Sequence, residues 1–408
     1  MHRRASAITV WASNLPPAVN GIALGNVGVG VALLNIFRDN GILTPWSLWV
    51  VYGLTLYAIT LLSLYWVRVI FNWHAFLKED LSKPQPLSAI GAHSMAVMLV
   101  AVIAAMPELS LDIRVGLAIS VYGSAVQLGS MSLFLFHCFN ERCWPEPFYN
   151  AAIHSCQFIV VSIPSGVSSS CEMFRRVIFF FGLIMLLPSL PAQIFRTVTY
   201  PTVVAQNYTV CIMQAAFSIS LTAWLVFPLT RQNDSDTDAA VTAATGRGAE
   251  VSHLLFVLST LTYLLTWVGI YQRRHVLRKL GDHASVSSAT FPFVNSAISA
   301  NLYRITLNRV GAFTPAGHGC LQGWVYLITL VSILATMTGN VMYARNRFFS
   351  SVSSSSSSIA LSLPSPFAKD DALEKVTLDD HHSVVEVTEG ATPTRQTNPK
   401  LANIPESA

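Results

Sequence analysis

The sequence predicts an all-α integral membrane protein whose ten transmembrane helices pair as five helical hairpins, followed by a disordered C-terminal tail. Three observations lead there. Charged residues make up 11% of the 408 residues, against about 25% in an ordinary soluble domain. Hydrophobic residues make up 52%, with mean hydropathy +0.49, and they gather in long runs. Alternate runs open on or near proline followed by small and polar residues.

The runs define the helices. Ten long apolar stretches contain no Asp, Glu, Lys or Arg: 5–37, 40–67, 84–107, 115–140, 147–171, 177–195, 197–230, 251–272, 283–303 and 310–344. A spanning helix needs about 20 apolar residues to cross roughly 30 Å of hydrocarbon, so each stretch holds one span. The sixth, 177–195, is the shortest and just suffices. The span domain is expected over residues 1–346. From 347 to 408 the composition changes. Residues 350–358 are serine apart from Val352, and Lys369, Asp370, Asp371 and the pair His381–His382 follow. Such a segment buries no core and reads as a solvated tail.

An even number of spans puts both termini on one side. The segments on that side carry more Lys and Arg, among them Lys78, Lys83, Arg273, Arg274, Arg278 and Lys279, than the opposite set, which includes Arg38, Arg114, Arg231 and Arg309. The positive-inside rule makes both termini cytosolic, and the plasma membrane is the expected location. Asn233, in the sequon Asn233-Asp234-Ser235, then falls in a polar outer loop, 231–250, as a glycosylation candidate. The first run is too long for a signal-peptide core and reads as a span. Six cysteines form no CxxC pair; most read as small core residues. Cys171 and Cys320 both fall near the outer side, where they could meet.

Prolines mark the odd helices. The first opens LPPAVNGIALG, the third follows KPQPLSAIGAHS, the fifth follows WPEPFYNAAIHS, the seventh opens YPTVVAQNYTV and the ninth contains TFPFVNSAISA. Pro17, Pro86, Pro147, Pro201 and Pro292 are the expected kink points, while the even helices lack a matching proline-plus-polar stretch. Proline removes a backbone donor and bends a helix; in a bilayer the freed carbonyl must be satisfied by neighbours or water. Five such helices standing inside, with apolar even helices facing lipid, would surround a central pore.

The odd helices carry no Asp or Glu within their spans, which excludes a carboxylate-ringed cation path and the buried acids of a proton pump. They offer neutral groups instead: Asn20, Gly21, Gly25, His93, Ser94, Tyr149, His154, Asn207, Gln214, Asn295 and Ser296. Neutral donors and helix termini suit a small anion passing without tight binding. Arg304 follows the ninth span and is expected either to snorkel to the interface or to set a positive mouth. His137, Cys138, Cys143, His154 and Cys156 match no metal-ligand spacing, and no nucleophile–base pair stands out. Neither enzyme activity, cofactor, metal nor nucleic acid is expected. A receptor-like signalling protein is the competing class; it would favour seven spans with termini on opposite sides.

PPAVNGIALGNVGVG in the first helix, KPQPLSAIGAHSM before the third and TFPFVNSA in the ninth together resemble the tellurite-resistance/dicarboxylate transporter family, which includes malate permeases, sulfite efflux pumps and plant slow anion channels. The resemblance covers residues 15–344. It implies a pore made by the odd helices, plugged by an aromatic of the ninth, and a homo-oligomer, a trimer. Phe291 best matches the plug position. Phe293 is the alternative; it lies about 200° further round the helix, so both cannot point inward. The resemblance implies transport of small anions, a C4-dicarboxylate such as malate or sulfite, with a chloride- or nitrate-conducting channel as the alternative. Gating through the long amino-terminal regulatory segment of the plant channels is not expected here.

Overall fold

The computed structural model describes residues 15–106, 108, 111–141, 148–163, 171–199, 211–230, 247–275, 287–310 and 314–345. Pro147, Pro201, Asn207, Asn233 and the expected tail lie outside these residues. Among the described residues the chain is all-helical, 92% helix and without strands.

In chain order the helices are α1 (Val19–Asp39), α2 (Pro45–Phe71), α3 (Pro84–Ala104), α4 (Ile113–Glu141), α5, α6 (Glu172–Thr199), α7 (Ile212–Thr230), α8 (Arg247–Gln272), α9 (Ser287–Val310) and α10 (Pro315–Ala344). Helix α5 is broken: Phe148–Ile153 and Phe158–Ser162 are joined by a 3-10 turn, His154–Gln157. Seven of the described helices, namely α1, α2, α3, α4, α6, α8 and α10, are long and apolar enough to cross a membrane, as in a multi-pass membrane protein. The other three fall short for separate reasons. The apolar stretch of α5 is brief, that of α7 covers only Ile212–Val226, and α9 is rich in Asn, Ser and Thr.

Local sequence explains several boundaries. Gly41, at φ +65°, turns the chain out of α1, a conformation that costs glycine nothing. Helix α2 opens on Pro45 at its first position, where no backbone donor is missed. Thr44 Oγ1 accepts from the Ser47 amide at 3.3 Å while Ser47 Oγ accepts from the Thr44 amide at 2.8 Å, a reciprocal cap. Helix α10 repeats the device with Pro315 and Thr314, whose hydroxyl accepts from the Gly317 amide at 3.2 Å.

These caps correct the expected proline alternation. Two even helices also open on proline, and α6 carries Pro188 and Pro191 inside it. Pro86 lies in the first turn of α3 and Pro17 precedes α1, so neither kinks a helix interior; Pro292 alone of the five expected kinks is described inside a helix. Helix α6 is also longer than its uncharged run, because its first turn absorbs charge. Arg176 pairs with Glu172 one turn away, and Arg175 is buried with its Nη2 donating to the Val160 carbonyl of α5 at 3.1 Å.

Packing sorts the helices into two sets. Helix α1 packs against α3 and α9; α3 packs against α5; α5 packs against α7; α7 packs against α9. The odd helices thus contact one another in a closed circuit. Each even helix packs mainly on its odd predecessor: α2 on α1, α4 on α3, α6 on α5, α8 on α7 and α10 on α9.

Glycine sets the closeness of one seam in the circuit. A Cβ on Gly21 would stand 3.0 Å from Ser287 Cβ, one on Gly25 2.7 Å from Thr290 Oγ1, and one on Gly28 2.6 Å from Val294 Cγ1. Three glycines along α1 therefore let the side chains of α9 pack directly on the α1 backbone. The contact is reinforced where Thr290 Oγ1 donates to the Gly21 carbonyl at 3.2 Å.

Candidate functional site

The site is built around α9. Phe291 and Phe293 flank Pro292, and both side chains are buried. Their surroundings differ. The Phe293 ring lies 5.3 Å from Trp267 and 5.8 Å from Tyr263, both on α8, and its carbonyl accepts from Ser332 Oγ of α10 at 2.7 Å. Phe293 therefore faces the even helices behind α9. The Phe291 ring lies 5.6 Å from Phe158 of α5 at 58° between planes. Helices α9 and α5 are not neighbours in the circuit; α7 stands between them on one side, α1 and α3 on the other. The Phe291–Phe158 contact therefore joins two odd helices that are not adjacent in the circuit. Phe158 was not among the residues singled out by sequence, where it is one aromatic in a run of apolar residues.

Pro292 places Phe291 inside a helix with one backbone donor missing. Its own carbonyl is used twice: Gln214 Nε2 of α7 donates to it at 3.1 Å and Ser296 Oγ at 3.1 Å. Gln214 Nε2 also donates to Ser296 Oγ at 2.8 Å, and Asn295 Nδ2 donates to Ser218 Oγ at 2.7 Å. The polar side chains near the proline thus clamp α9 to α7. Their remaining acceptors, Gln214 Oε1 and Asn295 Oδ1, are buried without a partner among the described residues.

The other polar residues also serve helix contacts. Asn20 Nδ2 donates to the Ala89 carbonyl at 3.4 Å and Asn20 Oδ1 lies 3.2 Å from His93 Nδ1, tying α1 to α3. Ser94 Oγ donates to the Gly91 carbonyl at 2.8 Å and to Gln127 Oε1 of α4, and Gln127 Nε2 donates to Ser155 Oγ at 2.6 Å. Tyr149 is fully buried with its ring 5.7 Å from Phe134 of α4. His154 is fully buried in the 3-10 turn of α5. Gly21 and Gly25 face α9 at contact distance. Asn295, Ser296 and Gln214 cluster beside the Phe291 turn, whereas His93 and Ser94 point toward α2 and α4 on the far side of α3.

Arg304 departs from both expectations. It lies within α9, is 2% exposed, and bonds to Asp39 at the end of α1 and to Asn301 Oδ1 at 3.0 Å. It neither snorkels nor stands free, because a carboxylate from the neighbouring helix end neutralises it. Arg38 beside it pairs with Glu108 at 2.7 Å, so this end of the bundle is laced by ion pairs that fix α1 to α9 and to the segment before α4. Cys171 and Cys320 are free thiols, so the suggested meeting of the two does not occur. No family model matches this chain, and no curated protein matches it.

Proposed function

We propose that this protein is a plasma-membrane channel or carrier for small anions. Ten spans form five helical hairpins, the odd helices surround a central conduit, and Phe291 plugs it. One observation carries the reading: the Phe291 ring meets Phe158 across the circuit of odd helices, between helices that are not packed neighbours. Two facing rings narrow an opening and dewet it, a barrier that hydrated ions cross only when the rings move. Over the three turns that follow Phe291, the same face of α9 is neutral; the Arg309 position returns to it only at the far end of the helix. Asn295, Ile298 and Leu302 lie within about 40° of its direction at 100° per residue.

The seven-span count that a receptor would favour arises because α5, α7 and α9 are broken, short or polar. Those three belong to the circuit of contacts, so the short count reflects their inward role. With ten spans both termini lie in the cytosol and Asn233 lies outside. A C4-dicarboxylate such as malate, or sulfite, fits a neutral lining without a fixed cation, since Arg304 is already paired; chloride or nitrate passage is the alternative within the same class. The resemblance adds a trimeric assembly.

The test is anion flux in proteoliposomes loaded with malate, sulfite, chloride or nitrate. Phe291→Ala is expected to raise flux of at least one of these above the parent. A folded Phe291→Ala protein that passes none of them faster than the parent would remove Phe291 from the role of plug.

A further inference from the structure

A cavity of about 240 Å³ lies between α2, α3 and α4, on the outer side of α3 and away from the Phe291 contact. It is larger than the roughly 150 Å³ apolar cavities that bind benzene-sized molecules. Its wall is mostly apolar, with Trp66, Ile90, Val126 and Leu133 among the lining side chains, and among the described residues no Asp, Glu, Lys or Arg lines it. Ser130, His93 and Tyr65 are polar side chains on its border; Ser130 Oγ already donates to the Gln127 carbonyl at 3.0 Å, while the ring centroids of His93 and Tyr65 lie 5.4 Å apart. Both rings are at least 98% buried, at 1% and 2% exposure, and His93 Nε2 and Tyr65 Oη have no hydrogen-bond partner among the described residues. Buried polar atoms of this kind are rare because leaving them unpaired is costly.

The chemistry of the two atoms follows from their neighbours. Asn20 spends its amide nitrogen on the Ala89 carbonyl, so its oxygen faces His93 Nδ1. That oxygen only accepts, which assigns the ring proton to Nδ1 and leaves Nε2 a bare acceptor. Tyr65 offers an O–H donor and a lone pair. A hydroxyl donating to Nε2 and accepting from Tyr65 satisfies both at once. A carboxylate or phosphate would set acceptor against acceptor at Nε2 and meet no free cation, since the nearby Arg68 is buried in an ion pair with Asp80.

The position identifies the source. Tyr65 lies six residues before the end of α2 at Phe71, about 9 Å along the axis at 1.5 Å per residue. Trp66, Phe71 and Trp73 are exposed around that end, the pattern of an interfacial aromatic belt. The cavity thus sits just inside the interface, where lipid hydroxyls reside. Trp66 and Gly129, both exposed, border it on the outward side. A Cβ on Gly129 meets nothing within 4 Å, so the helix wall is open there.

We propose that this cavity binds a neutral, hydroxyl-bearing lipid of the surrounding bilayer, with the hydroxyl bridging His93 Nε2 and Tyr65 Oη and the hydrocarbon filling the apolar remainder. The proposal rests on the reading that α2, α3 and α4 lie in a bilayer, and is independent of what the central conduit carries.

The test is photolabelling of the full-length protein in lipid nanodiscs, read by peptide mass spectrometry. The probes are a diazirine sterol, a diazirine diacylglycerol, the hydroxyl-methylated form of each, and a diazirine fatty acid. One of the two hydroxyl-bearing neutral probes is expected to label peptides of α2, α3 or α4 at the cavity wall, and which of them does so identifies the lipid class. Its methylated form is expected to label several-fold less. Gly129→Phe fills the opening without a backbone clash and is expected to cut labelling about tenfold, equivalent to 1.4 kcal/mol of binding. Tyr65→Phe is expected to lower it about fivefold by removing one hydrogen bond; if Gly129→Phe fails to fold, Tyr65→Phe decides. Absence of labelling at these peptides by either neutral probe, labelling indifferent to methylation or to Tyr65→Phe, or preference for the fatty acid would each overturn the proposal. Flux plays no part in the readout, so failure of the conduit reading and failure of this one are separable.

Discussion

The inner and outer helices of this bundle are built to opposite specifications. In α1 and α3, 78% of the most apolar 18-residue window is buried, whereas in α2, α4, α6, α8 and α10 the share is 39%, 33%, 39%, 28% and 28%. The inner set holds the buried polar residues Asn20, His93, Ser94, His154, Gln214 and Asn295. The outer set exposes large apolar ones, such as Trp49, Ile70, Phe136, Leu187, Leu265 and Leu327. Lipid provides no apolar drive for helices to associate. Close glycine contacts and shared hydrogen bonds therefore hold the inner set together, and the outer surface needs only to be greasy.

The sharpest way to sharpen that contrast lies within one turn of α9. Phe291 faces inward and Phe293 faces the outer helices. Phe291→Ala is expected to raise anion flux by about tenfold or more, a barrier change of at least 1.4 kcal/mol. Phe293→Ala is expected to leave flux unchanged and to cost about 3–5 kcal/mol of stability, as a large buried ring lost from packing. Equal flux gains from both would erase the distinction.

A second contrast sets a buried ion pair against an exposed one. Arg68 and Asp80 are 7% and 3% exposed at the side chain, whereas Arg176 and Glu172 are 57% and 37% exposed. Arg68→Met strands a buried carboxylate and is expected to cost about 3–5 kcal/mol. Arg176→Met is expected to change little, within about 0.5 kcal/mol for an exposed i,i+4 pair. Thermal unfolding of the purified variants reads both; similar losses would mean that burial does not govern these pairs.

The glycines offer a third pair. Gly25 lies against Thr290, while a Cβ on the exposed Gly53 of α2 meets nothing within 4 Å. Gly25→Val is expected to destabilise by about 1–3 kcal/mol through overpacking. Gly53→Ala is expected to gain about 0.5–1 kcal/mol from helix propensity. If Gly25→Val is harmless, the α1–α9 seam is looser than described. The smallest effect concerns Asn26 of α1 and Asn340 of α10, whose amides bond reciprocally at 3.1 Å. A double-mutant cycle with leucine at both is expected to give a coupling of about 0.6 kcal/mol, and a value of zero would remove the bond from the account.

What sequence conveyed here was mostly composition and spacing. Uncharged runs located each of α1 to α10, because charge is excluded from hydrocarbon more strictly than any residue is required there; the short helical stretch 73–80, which carries Lys78, Glu79 and Asp80, falls outside them. They misplaced the start of α6 because Glu172, Arg175 and Arg176 find partners within the fold, and partners are invisible in a run of letters. The polar character of α9 beside Pro292 was legible, and Asn295, Ser296 and Gln214 do meet there. That most of these amides clamp helices together was not legible, since an amide reads the same whether its partner is a backbone carbonyl or a solute. The break in α5 falls on His-Ser-Cys-Gln, which holds neither proline nor glycine, so no local breaker announced it. Arg304 looked free because Asp39 is remote in sequence and close only after α1 and α9 pack.

The claim that most depends on geometry is that α9 has one face toward a water-filled conduit. Single cysteines at 291, 298 and 302, and at 293 as the outward control, placed in a protein whose six native cysteines are replaced, can be challenged in liposomes with a membrane-impermeant anionic thiol reagent. Removing the Phe291 ring is expected to open 298 and 302 to rapid modification while 293 stays unreactive. Equal protection at 298, 302 and 293 after that ring is gone would contradict it.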